Sequence, residues 1–157
     1  MPRWQTIVAS ALDWDQAHVT LDAALKGLKK ADRGTRPNGF PHSVWELVGH
    51  LRITQHDLLD FITNPKYVHG LKWPDDYWPP TQAPPSDSAW RSSLKQIGED
   101  RDALANFATR TRVDMTKKIP HGSGQTYLRT VLVAADHASY HIGQIVAVRR
   151  LLDVWGK

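Results

Sequence analysis

The sequence predicts an all-α protein, a four-helix bundle formed by one domain over residues 1–157. Four long stretches carry apolar residues at intervals of three and four, which is the spacing of a helix that faces a core. No stretch has the alternation and paired turn residues of a β-hairpin. The hydrophobic content of 41% and the seven tryptophans favour a packed globule over a disordered chain.

The first helix is predicted from Arg3 to Lys30. The line of its core-facing positions is apolar except at His18. It consists of Trp4, Ile7, Ala11, Trp14, His18, Leu21, Leu25 and Leu28. On such a line His18 is a hydrogen-bonded core residue, a residue that lines a pocket, or a metal ligand. The sequence does not decide among these three roles. Glycines and prolines between residues 31 and 41 predict a loop after this helix.

The second helix is predicted to begin at a capping box, Ser43 followed three residues later by Glu46, and to end before Asn64-Pro65. Its core face carries several apolar residues, but polar side chains interrupt it. These are His50, Thr54 and Asp57, spaced by four and three residues. We therefore expect the second helix to contribute polar groups to the interior of the bundle.

Residues 64–86 form a long connection that holds six of the ten prolines. A connection of this length without regular structure is uncommon in a compact domain, and its aromatic residues argue against a flexible linker. We expect it to cross the bundle and pack on it. Trp73 and Trp78 are candidates to form a pocket wall.

The third helix is predicted from a cap at Asp87 or Ser88 to about Ala108, with an apolar inner face and a charged exterior. The fourth is predicted to begin near Tyr127, after Thr126 as its cap, and to end around Trp155.

Three polar residues lie on the core line of this last helix: His137, His141 and Gln144. Both histidines leave the same face one turn apart, and burying unpaired imidazoles costs free energy. A metal ion held by His137, His141 and His50 would compensate for this cost; the alternative is a bundle without metal in which the imidazoles hydrogen-bond one another. Gln144 is expected to bond to a metal-bound water or to a neighbouring side chain. Gly143 is expected to allow close approach of a helix or a ligand, because glycine inside a helix is otherwise unfavourable.

Three histidines from two helices leave coordination positions open, which is typical of a catalytic site. Imidazoles suit Zn²⁺, Ni²⁺, Cu²⁺ or Fe²⁺, and the sequence does not choose among them. Residues 138–140 contain no glutamate, so metallopeptidase chemistry is not expected. The chain has no cysteine, which excludes disulfides, thiolate ligands and a cysteine nucleophile and fits a cytoplasmic location.

The sequence gives no indication of a nucleic-acid or membrane partner. The net charge is +4, and the basic residues between 26 and 36 have Asp22 and Asp32 close by, as on a solvated helix end. No apolar run approaches the ~20 residues that span a bilayer, and the first residues lack the apolar core of a signal peptide.

The capped stretch S-V-W-E-L-V-G-H-L and the later D-H-A-S-Y-H-I-G-Q-I resemble the DinB/YfiT-like superfamily over nearly the whole chain. This resemblance implies a four-helix bundle of mirror-variant connectivity, a divalent metal on His50, His137 and His141, and a homodimer. Relatives include thiol transferases that use low-molecular-weight thiols, mycothiol-dependent maleylpyruvate isomerases and hydrolases of small amides. The family has no ligand at the position of His18.

Two functions follow as hypotheses. The first is a metal-dependent enzyme on small molecules, with thiol S-transferase or hydrolase chemistry and, for the transferase, a low-molecular-weight thiol as cosubstrate. His18, Thr54, Asp57 and Gln144 are candidates to line its pocket, and no general base is assigned. The second is a non-catalytic, metal-binding, dimerising stress-response protein, for which we expect a closed metal site.

Overall fold

The computed structural model describes residues 3–110 and 112–156. Within these ranges the chain is helical and forms no strand, apart from one isolated bridge between Lys118 and Thr126. The α-helices are α1 (Trp4–Ser10), α2 (Leu21–Leu25), α3 (Val44–Thr63), α4 (Asp87–Thr109) and α5 (Tyr127–Leu151). Short 3-10 turns cover Ala11–Asp13, Lys30–Asp32 and Asp75–Tyr77. The predicted all-α class is confirmed.

The prediction of one continuous helix from Arg3 to Lys30 is wrong. The chain leaves α1 through a 3-10 turn and becomes extended at Trp14. It re-enters a helix only at α2, where the Thr20 hydroxyl caps the backbone amide of Ala23 at 3.2 Å. Gly27, with φ of +76°, follows α2. Apolar spacing continues across this break although Trp4, Ile7 and Trp14 are 44%, 46% and 44% exposed, so spacing alone reveals neither the break nor the buried residues.

The capping box of α3 is present in both directions. The Ser43 hydroxyl accepts from the Glu46 amide at 3.2 Å, and the Glu46 carboxylate accepts from the Ser43 amide at 2.8 Å. The predicted limits of α3 are confirmed. Helix α4 begins one residue earlier than expected, with Ser86 as its cap, and α5 ends at Leu151 rather than around Trp155.

Helix α3 packs against both α4 and α5, and α1 packs on α4. Two clusters of buried apolar side chains fill the interior. Along α3, Leu51 belongs to one cluster and Ile62 to the other, and along α5 Ile142 and Ala135 are divided in the same way. The histidines predicted to bind metal lie at this boundary between the clusters.

Segment 64–86 packs on α3 through close contacts. Pro79 lies directly over Gly49, where an added Cβ would be only 2.6 Å from the Pro79 Cγ. The Ser43 hydroxyl donates to the Gln82 carbonyl at 2.6 Å. Gly49 is therefore the helix glycine that permits a close approach. The expectation that Gly143 lets a neighbouring helix approach closely is wrong, since no described atom outside its chain neighbours and its own helix backbone lies within 4 Å of its Cβ position. The expectation of a close approach by a ligand stays a prediction.

None of the helices in the described ranges combines the length and the apolar character needed to cross a membrane.

Candidate metal centre

The structure brings together the three histidines that the sequence singled out. His50 comes from α3, and His137 and His141 lie one turn apart on α5. Their ligand nitrogens all lie within 4.8 Å of one another. His50 and His141 are only 3% and 6% exposed, and His137 is half-buried. These three histidines, the histidine triad, could hold a metal ion.

Each imidazole of the triad has its Nδ1 atom turned outward to an oxygen. His50 Nδ1 lies 2.7 Å from the Tyr77 carbonyl, and His141 Nδ1 lies 2.7 Å from the Gln144 Oε1. His50 Nδ1 must donate, because a carbonyl oxygen only accepts, and His141 Nδ1 likewise donates to the amide oxygen. Both rings therefore leave Nε2 unprotonated when they are neutral.

His137 follows the same pattern through a longer contact. Its Nδ1 is 3.4 Å from the Thr54 hydroxyl oxygen. That hydroxyl donates its own proton to the His50 backbone carbonyl at 2.8 Å, so it accepts from His137. Thr54 thereby orients a histidine of the neighbouring helix while it stays bonded to its own.

The Nε2 atoms of His50 and His137 are 3.1 Å apart. Two nitrogens that bind one tetrahedral ion at about 2.0–2.1 Å are about 3.3 Å apart. His137 can hold its proton on Nδ1, toward Thr54, or on Nε2, toward His50; with the proton on Nδ1, two lone pairs face each other at this short distance. A cation between them removes the repulsion, so the donor set and its spacing fit a divalent metal.

Burial keeps the triad neutral. Burial first, and then charge on His141 or His50, lowers the pKa of His137 to about 3. Burial likewise lowers the pKa of His141 to about 4, against the hydrogen bond to Gln144, which acts in the opposite direction. The pKa of His50 is also lowered by burial, despite its bond to Tyr77. Neutral imidazoles are the form that binds metal.

Aromatic rings from segment 64–86 and from the loop before α3 cover one side of the triad. The Trp78 indole stacks on His50, with ring centroids 4.1 Å apart and planes 9° apart. On its other face it stacks on His42 at 3.9 Å. The predicted wall residue Trp78 thus contacts a triad histidine, whereas Trp73 is 74% exposed and contacts the Tyr77 ring instead.

The four pocket-lining candidates have different positions. Thr54 and Gln144 contact the triad directly, as the hydrogen bonds above show. Asp57 lies one turn beyond Thr54, where its carboxylate accepts from the hydroxyls of Tyr67 at 2.8 Å and Tyr77 at 3.1 Å. Burial, together with Asp57, raises the pKa of Tyr77 to about 12. Asp57 therefore anchors the residue whose carbonyl orients His50.

His18 lies apart from the triad, in an exposed position outside the helices. Its Nδ1 is 2.8 Å from the Val19 carbonyl and its Nε2 is 2.9 Å from the Ser139 hydroxyl. It lines a separate surface groove with Trp14 and Leu132. Its predicted place on a buried apolar line is wrong, because helix α1 ends before it.

Sequence reasoning missed three contributors to the site: the Tyr77 carbonyl, His42 and Gly49. The first two depend on the tertiary path of loops, for which the sequence carries no local signal. Gly49 did carry a signal, since it is a glycine inside a helix immediately before a proposed ligand.

The family model of the DinB superfamily matches residues 13–145. The chain belongs to the DinB superfamily. The matched range contains the whole histidine triad together with Thr54 and Gln144, so the site lies within the DinB domain. No curated protein and no solved structure matches the chain significantly.

Proposed function

We propose that this DinB-superfamily protein is a divalent-metal-dependent enzyme that acts on small molecules in the cytoplasm. His50, His137 and His141 hold the metal through their Nε2 atoms. The observation that carries the proposal is the outward hydrogen bond of every Nδ1 atom in the triad. Such bonds fix the ring orientation and the tautomer of metal-binding histidines.

A metal-free triad would need a different proton arrangement. One Nε2 would have to carry the proton for His50 and His137 to hydrogen-bond each other, and that ring would give up its outward bond. Either His50 would lose a 2.7 Å bond to a buried backbone carbonyl, or His137 would lose its 3.4 Å bond to Thr54. The cost of leaving such groups unpaired favours the metal-bound arrangement.

The number of ligands supports catalysis. Among the described residues, the group of potential ligands that converges here consists of the three histidines, and closed structural zinc sites have four ligands. A metal held by three imidazoles leaves room for water or substrate and lowers the pKa of a water or thiol that it binds. Trp78 shields one side of the triad from solvent, which strengthens electrostatic interactions at the site.

Two reaction types suit the site: thiol S-transfer and hydrolysis. For thiol transfer the sulfur must come from a low-molecular-weight cosubstrate, because the chain has no cysteine. For hydrolysis the nucleophile is water and no cosubstrate is needed. In both cases the chain orients its imidazoles through Tyr77, Thr54 and Gln144, and keeps them unprotonated through burial.

The alternative function is a non-catalytic, metal-binding and dimerising stress-response protein. Large exposed apolar side chains on α1, on α5 and at Trp14 support a homodimer: Trp4, Ile7, Trp14, Leu132 and Val133. We propose the homodimer under both functions. Sedimentation velocity at two protein concentrations tests it, and a monomer at both would refute it.

The metal is tested on protein purified without a histidine tag. We expect about one Zn²⁺, Ni²⁺ or Fe²⁺ per chain in the wild type, and a loss of affinity of more than about a hundredfold in His50→Ala and His141→Ala. His56→Ala is the matched control, because His56 is on the same helix but its side chain is 57% exposed and pairs with Asp100. Less than about a tenth of an ion per chain after metal addition would refute the metal site.

The reaction is tested on the metal-loaded protein with a panel of low-molecular-weight thiols and electrophiles, and with small amides without thiol. Turnover that needs a thiol assigns the transferase, and turnover of amides alone assigns the hydrolase. Stoichiometric metal without turnover in either panel would favour the non-catalytic alternative.

A further inference from the structure

A cavity of about 370 Å³ lies between α3, α5, segment 64–86 and the loop before α5. Its walls include Asp57 and Phe61 from α3, His69 from the connection, and Arg129 and Val133 from α5. The volume falls in the range of small-ligand sites.

The cavity lies along the same two helices as the triad. On α3 the residues from the triad to the cavity are His50, Thr54 and Asp57, and on α5 they are His137 and Val133, each one turn further along. At 1.5 Å per residue, Asp57 is ~10 Å from His50 along α3 and Val133 is ~6 Å from His137 along α5. A substrate anchored in the cavity would span about this distance to reach the triad.

The carboxylate in this cavity is already satisfied. Asp57 accepts from the hydroxyls of Tyr67 and Tyr77. Because Tyr67 gives its only proton to Asp57, it accepts the one from His69 Nδ1, at 3.0 Å. This chain of bonds holds the polar side of the cavity rigid and leaves the His69 Nε2 with a free lone pair.

Arg129 is the cation of the cavity wall. It is exposed, and in the described part of the chain only its backbone amide forms a hydrogen bond, to the Thr126 hydroxyl. No carboxylate of the described residues pairs with its guanidinium. Phe61, Leu58 and Val133 supply apolar surface on the same cavity. The wall thus combines an unpaired cation with an apolar strip.

We propose that this cavity binds the substrate of the metal site, and that the substrate is a small organic anion. Its carboxylate pairs with the Arg129 guanidinium, which is suited to planar two-point contact with a carboxylate. Its apolar part lies against Phe61 and Val133, and its reacting end points along α3 and α5 toward the histidine triad. The inference rests on the proposed function, because the triad supplies the chemistry at that end.

The test uses cinnamate as the probe and cinnamamide as its neutral counterpart. Both are titrated into metal-free, isotope-labelled full-length protein and followed by amide chemical shifts. We expect saturable shifts at Leu58 and Val133 with cinnamate, and a Kd about tenfold higher with cinnamamide. The metal is omitted so that the cinnamate carboxylate cannot bind to it instead of to Arg129.

Arg129→Gln should raise the Kd of cinnamate about tenfold and leave that of cinnamamide unchanged, because it removes one charged pair. Arg150→Gln is the matched control: it removes an exposed arginine of the same helix that lies near Trp155, outside the cavity. Its cinnamate affinity should equal that of the wild type.

Three results would overturn the inference: no saturable shift with cinnamate up to solubility, equal affinities for cinnamate and cinnamamide, or equal loss in both arginine variants. Zinc affinity is measured separately on the same proteins. Zinc binding without cinnamate binding would refute the cavity and keep the metal site. Cinnamate binding without zinc binding would refute the metal site, and with it the reactive end of the proposed substrate.

Discussion

Replacing Gly49 with alanine is expected to disturb the triad without touching a ligand. The new Cβ would lie 2.6 Å from the Pro79 Cγ and 2.9 Å from the Pro79 Cβ and Cδ. Ordinary contacts begin at 3.4 Å, so Pro79 must retreat by about 0.8 Å. The two residues before it are Trp78, which stacks on His50, and Tyr77, which accepts the His50 hydrogen bond.

The magnitude follows from these distances. A shift of about 0.8 Å passed to the Tyr77 carbonyl would lengthen its bond to His50 from 2.7 Å to as much as about 3.5 Å, beyond hydrogen-bonding range. Losing such an outer partner of a metal-binding histidine typically costs about 10–100-fold in metal affinity. Forcing a methyl group into a packed contact costs about 1–3 kcal/mol of folding free energy.

Gly98→Ala is the matched control. Gly98 lies within α4, and no described atom is within 4 Å of its Cβ position. Both substitutions gain up to about 1 kcal/mol from the helix propensity of alanine. The difference in free energy of unfolding between the two variants therefore isolates the clash with Pro79.

The assays are urea unfolding of the metal-free proteins and zinc affinity by competition with a chelator. We expect Gly49→Ala to be about 1–3 kcal/mol less stable than Gly98→Ala and to bind zinc about 10–100-fold more weakly. Equal stability of the two variants would refute the packing argument. Lower stability with wild-type zinc affinity would refute the transmission from Pro79 to His50.

Three further predictions concern the groups around the triad. The histidines of the unfolded chain take up protons near pH 6.5, whereas the pKa values of His137 and His141 in the folded protein are about 3 and 4. The free energy of unfolding of the metal-free protein should therefore be highest above pH 6.5 and fall toward pH 4, by up to ~1.4 kcal/mol per pH unit for each histidine. Urea unfolding measures this, and a flat profile would contradict it. Gln144→Leu should weaken zinc binding about 10–100-fold because His141 loses its hydrogen-bond acceptor. Gln144→Glu keeps an acceptor and should bind zinc at least ten times more tightly than the leucine variant. Equal zinc affinities of the two variants would exclude a role of Gln144 in orienting His141. Ser43→Ala should lower the free energy of unfolding by about 1–2 kcal/mol in urea unfolding, more than Ser86→Ala does. The reason is that the Ser43 hydroxyl caps α3 and also donates to segment 64–86, whereas the Ser86 side chain caps α4 alone. The reverse order would contradict the packing of segment 64–86 described above.

Local sequence signals were sufficient to predict a helix where particular residues mark both of its ends. The capping box at Ser43 and the Asn64-Pro65 pair define α3, and α3 carries His50 into the interior. The four-residue spacing of His137 and His141 places both on one face of α5. From these two helices the composition of the triad could be predicted, because polar residues on core lines require partners.

The first thirty residues show where periodicity misleads. The apolar spacing from Trp4 to Leu28 continues through a break, although Trp4, Ile7 and Trp14 are exposed and, of this line, Leu21 and Leu28 are the buried members. The signals that mark the break are Thr20, a helix cap, and Gly27, which takes a positive φ. His18 changes with them from a core position to an exposed one.

The orientation of the triad could not be predicted, because its determinants come from three different parts of the chain. A backbone carbonyl in segment 64–86 orients His50, a hydroxyl of α3 orients His137, and an amide of α5 orients His141. Their combined effect is to turn lone pairs toward one point at the boundary between two apolar clusters, where water screens them poorly. With the His137 proton on Nδ1, the metal-free protein carries an electrostatic cost that a cation would relieve, and a cation bound there would link α3 directly to α5. Because only the folded chain assembles this arrangement, a metal bound by the triad would stabilise the fold.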